Sequence, residues 1–68
     1  MSASDIVAGR RFEAAGIGKV YEIVARYRKA GVGEVATVKL LGPRPGTFGS
    51  VSEIEVGRLA KCFVREVV

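Results

Sequence analysis

Apolar and polar residues alternate along most of this chain instead of recurring every three or four positions, and nine glycines cut it into short segments. A period of two with glycine punctuation predicts strands. The first is expected over residues 10–14, with Phe12 on one face and Arg11 and Glu13 on the other. A hairpin turn at Gly16, Ile17, Gly18 and Lys19 leads into the longest strand, residues 20–28. There Tyr21, Ile23, Ala25 and Tyr27 share one parity and are expected in the core, while Glu22, Arg26 and Arg28 share the other with Val24 and are expected in solvent. After a glycine-containing connection, residues 34–41 resume as a strand, with Ala36, Val38 and Leu40 inward and Thr37 and Lys39 outward.

Residues 42–49 hold both prolines of the chain and three glycines, which predicts a loop because proline cannot donate to a sheet ladder. Residues 50–56 alternate again, with Ser52, Ile54 and Val56 opposite Val51, Glu53 and Glu55. Residues 57–61 are too short for a stable helix and read as one tight turn before a closing strand at residues 62–67. Leu59 and Phe63 are expected to plug the end of the core. Residues 1–9 read as a flexible N-terminal arm, in which Ser4 and Asp5 can cap a short turn.

A sheet of this size with one apolar face is best stabilised by closing on itself, which also removes exposed edges. The expected fold is therefore all-β: one five-stranded small barrel over residues 10–68, with a one-turn 3-10 helix before the last strand. The segment from Ser52 through Glu53, Ile54, Glu55, Val56, Gly57, Arg58, Leu59, Ala60, Lys61 and Cys62 to Phe63 leads a fourth strand through a single helical turn into a fifth. With the element order over residues 10–67, it resembles the Src-homology-3-like small barrels. Barrels of that shape serve as ribosomal and transcription-factor modules, as Tudor-type peptide readers, and as type II dihydrofolate reductases that bind ligands in a pore made by oligomerisation. The reductases' Val-Gln-Ile-Tyr pore motif is absent, and Glu53 and Glu55 would present carboxylates in its place. No catalytic residue is carried over from them.

Length sharpens this picture. A chain of 68 residues has room for one core, and a core that small supplies roughly 3–5 kcal/mol without a further staple. Cys62 is the only cysteine and there is no histidine, so neither a disulfide nor a four-ligand zinc site is expected. Self-association is the remaining staple, and a homo-oligomer is expected. The lone thiol and the absence of a basic, apolar leader in residues 1–9 point to the cytoplasm. No apolar run approaches the ~20 residues that a bilayer helix needs, so no membrane is expected.

Eleven Lys and Arg against seven Asp and Glu give a net charge of +4, which invites an anionic partner such as DNA or RNA. Arg26, Arg28 and Lys29 lie together at the end of the long strand, where they can track a phosphate backbone. Lys39 adds a cation on the neighbouring strand. Arg44 and Phe48 put a guanidinium and an aromatic ring on the proline-stiffened loop, and bases stack on such rings for roughly 1–3 kcal/mol each; Phe48 can instead fold back over the core.

Other candidates resolve to simpler roles. Gly16 to Lys19 lacks the glycine spacing and the Lys-Ser or Lys-Thr pair of a phosphate loop. Glu53 and Glu55 are expected as surface charges opposite Lys39. Cys62 has no histidine partner and is expected as a small buried hydrophobe. No enzyme, cofactor or metal is expected. The expected function is a small basic nucleic-acid-binding or nucleoprotein-associated module making mostly sequence-independent phosphate contacts through Arg26, Arg28, Lys29, Lys39, Arg44 and Phe48. The alternative is a non-catalytic interaction module that self-associates through a strand edge or an apolar face, with Val32, Val51, Val67 and Val68 as contacts.

Overall fold

A computed structural model describes residues 1–15, 18–41 and 51–67. It is mostly β: five antiparallel strands form one sheet in the order β4-β3-β2-β1-β5, with β1 at Arg11–Ala14, β2 at Val20–Lys29, β3 at Gly33–Leu40, β4 at Val51–Glu55 and β5 at Phe63–Val67. β4 and β5 lie at opposite ends of that order and do not pair, so the sheet is open where a closed barrel was expected. The span between them is made by α1, Val56–Cys62.

α1 replaces the expected single 3-10 turn with seven residues of α-helix. Its physical basis is spacing: Val56, Leu59 and Phe63 recur at helical intervals and all three are buried in the same cluster. Cys62, at the end of the helix, is exposed rather than buried, because it falls off that apolar stripe.

The core gathers Ile6, Phe12, Ala14, Ile23, Ala36, Val38, Val56, Leu59 and Phe63, with Tyr21 and Ile54 packed against it. Phe12 and Phe63 face each other across β1 and β5, their rings 5.0 Å apart and 11° from parallel. Ile6 belongs to this core although it lies in the segment read as an arm: its exposure is 0%. A 3-10 helix at Ala3–Asp5 positions it. Ser2 accepts the Ser4 N–H on its hydroxyl, and its own N–H donates to the Asp5 carboxylate.

Two bulges set which side chains face which way. In β2, Ile23 pairs with Val38 but Ala25 pairs with Thr37, so Val24 is an extra residue and parity inverts beyond it. Arg26 and Arg28, expected outward, therefore lie on the core side of the sheet plane beyond the packed residues. Tyr27, expected in the core, turns to the outer face, 40% exposed. In β5, Glu13 pairs with Arg65 and Ala14 with Phe63, which makes Val64 the bulged residue.

Candidate functional site

The six residues singled out from sequence do not form one site. The Arg26 guanidinium donates to the carbonyls of Ala3 at 2.6 Å and Ile6 at 3.2 Å and lies 3.4 Å from a Glu34 carboxylate oxygen, so it ties down the N-terminal segment. Arg28 reaches the same carboxylate at 3.6 Å with its side chain 79% exposed. Lys29 pairs with Glu53 at 2.7 Å, and the Tyr27 hydroxyl donates to that carboxylate as well. Glu53 thus finds its cation on β2 rather than at Lys39, which stands opposite Glu22 and Val51 in the ladder. Lys39 is exposed and has no ion pair among the described residues. Arg44 and Phe48 lie outside the described residues.

A different constellation forms along the open side of the sheet. Between β4 and the α1–β5 corner lies a cleft of about 650 Å³, lined by apolar Ala14, Ala15, Val38, Ile54, Leu59 and Phe63 and by polar or charged Tyr21, Ser52, Arg58, Lys61 and Cys62. Strand parity explains the lining. Tyr21, Val38, Ser52 and Ile54 share the inner face, whereas Glu53 and Glu55 alternate to the outer one. Arg58 and Lys61 stand three apart on α1 and so line one side of it. Neither has an ion pair among the described residues, and no acidic residue lines the cleft.

Chemically, the cleft offers an apolar floor, a tyrosine ring and hydroxyl, a serine hydroxyl, and two cations at its mouth. It suits a ligand that is part apolar ring and part anion. The sequence reading missed Arg58 and Lys61 because it took residues 57–61 as a turn. The signal that finds them is the Val56, Leu59, Phe63 spacing, which places both cations on a helix.

Compared with known protein families, with curated proteins and with solved structures, the chain matches none of them. Among the described residues, no helix is long and apolar enough to cross a membrane.

Proposed function

We propose that this chain is a small non-catalytic module that binds nucleic acid, with the cleft beside α1 as its contact surface and a Src-homology-3-like arrangement as its scaffold. The observation that carries this reading is the charge pattern of the cleft: among the described residues, Arg58 and Lys61 line it without an ion pair and no carboxylate lines it. Phosphates then meet Arg58 and Lys61, and an unstacked base lies against Tyr21 and the apolar floor. Arg28 and Lys39, exposed on the sheet, extend the electrostatic field without defining the site. The net charge of +4 supports the same class of partner, and the exposed Cys62 thiol fits a reducing compartment.

Titration of fluorescent single- and double-stranded oligonucleotides at low and physiological salt tests the proposal. Micromolar binding is expected at low salt, falling with salt concentration. Replacing both Arg58 and Lys61 with alanine should reduce the log–log salt slope for single strands by about 1.4, at ~0.7 per phosphate contact. Arg28→Ala should change it little. Absence of binding at low salt, or an equal loss in the double variant and in Arg28→Ala, overturns the proposal.

A second reading, an interaction module, is favoured by a specific observation: β4 is an edge strand, and Val51 on it is 60% exposed.

A further inference from the structure

We propose that the free edge of β4 is a docking site for an extended segment of another protein, one that alternates basic and apolar side chains and adds as a further strand. The inference is independent of the nucleic-acid reading, because it rests on the edge and on carboxylates that a polyanion would avoid.

The edge itself comes first. Val51–Glu55 pairs with β3 on one side only, and among the described residues its other side has no backbone partner. An exposed row of N–H and C=O groups is a template for strand addition, in which the backbone supplies affinity and alternate side chains supply specificity.

The two faces of β4 dictate what those side chains are. Ser52 and Ile54 border the apolar cleft, so the incoming residues beside them are apolar. Val51, Glu53 and Glu55 lie on the outer face, where Glu55 makes no ion pair among the described residues. A hollow of about 280 Å³ adjoins them, lined by Val32, Val35, Glu53, Ile54, Glu55 and Arg58. Valines with carboxylates above them match a lysine or arginine side chain, whose stem lies on the apolar floor while its head meets the acids. Arg58 on the rim selects for a head that sits toward Glu53 and Glu55 rather than toward α1.

Charge also excludes the β4 strand of a second copy from this edge. A twofold β4–β4 pairing centred on Glu53 sets that residue against itself, and one centred on Ile54 sets Glu53 against Glu55 twice. Like charges directly opposite are destabilising. A register centred on Ser52 leaves only three residues of overlap. A basic strand from another protein meets none of these penalties.

The test uses the full ¹⁵N-labelled chain and two capped hexapeptides, one alternating lysine with valine and one alternating glutamate with valine. The lysine peptide is expected to shift the amides of residues 51–55, and the glutamate peptide to bind at least tenfold more weakly. The exposed double variant Glu53→Lys/Glu55→Lys, checked for an unchanged spectrum elsewhere, is expected to reverse that preference. A lysine peptide methylated at every backbone nitrogen, which cannot donate to the ladder, should lose binding. No binding of the lysine peptide, shifts outside β4, or a preference that survives the charge reversal overturns the proposal. Oligonucleotide binding can persist in each of those cases, which keeps this proposal separable from the one above.

Discussion

Arg26 illustrates how one side chain can change its role without changing its chemistry. As an alternating strand residue it reads as a solvent-facing cation. In the fold its guanidinium bridges the carbonyls of Ala3 and Ile6 to Glu34. Hydrogen bonds to a charged group contribute about 1.5–3 kcal/mol each, so Arg26→Ala should destabilise the chain by at least that much. Arg28→Ala, which removes only an exposed pair, should stay within about 0.5 kcal/mol in the same urea titration. Ile6 gives a second test at this scale. Because it is fully buried in the common core, Ile6→Ala should cost about 2–5 kcal/mol, whereas the exposed neighbour Val7→Ala should be nearly silent. Equal effects at the two positions would mean that residues 1–9 do not pack as described. Individual core positions were legible where the strand period held: Phe12, Ile23, Ala36 and Val38 are all buried. Ile6 was not, because a single isoleucine in a polar terminal segment carries no periodic signal.

Elements were legible in proportion to their length and regularity. All five strands were expected within a residue or two of their observed bounds, since alternation needs only four or five positions to register. α1 was not, because two turns offer few repeats and Gly57 within them reads as a breaker. That glycine now supplies a prediction. A Cβ built at Gly57 meets nothing within 4 Å, and its φ is not positive. Gly57→Ala should therefore stabilise the chain by about 0.4–1 kcal/mol through the entropy of the unfolded state, seen as a higher denaturation midpoint. The glycines at the β2–β3 tip behave in the opposite way: Gly31 has φ 79° and Gly33 φ 105°, so alanine there should lower the midpoint.

At the scale of the whole molecule, the sheet is open, its two edges are bridged by α1, and the aromatic pair Phe12–Phe63 sits under that bridge. Truncating a buried phenylalanine costs about 3–5 kcal/mol, which equals the ~3–5 kcal/mol that a core of this size provides. Phe63→Ala should thus be largely unfolded at room temperature by circular dichroism, and a cooperative unfolding transition in that variant would mean that the core is shared more widely. The candidate site belongs to this scale too. It depends on how β4, α1 and the first two strands meet, and no local pattern reports that meeting. Sequence could identify cations, but which of them are neutralised follows from register: the hairpin cations meet Glu34 and Glu53, while Arg58 and Lys61 are left to the cleft.

The extra residue at Val24 bears on how this chain tolerates losing length. A deletion inside a strand ordinarily turns everything beyond it inside out. Removing Val24 would do the reverse, because Ile23 would then run directly into Ala25 while every pair from Tyr21 with Leu40 to Lys29 with Gly33 is retained. Removing Glu22 two positions earlier can draw on the same slack only by putting Val24 in the buried place of Ile23 and Ile23 in the outer place of Glu22. Both variants should keep a cooperative urea transition, the one lacking Glu22 at the lower midpoint, which makes this bulge a place where the longest strand can be shortened by one residue and still spell the same sheet.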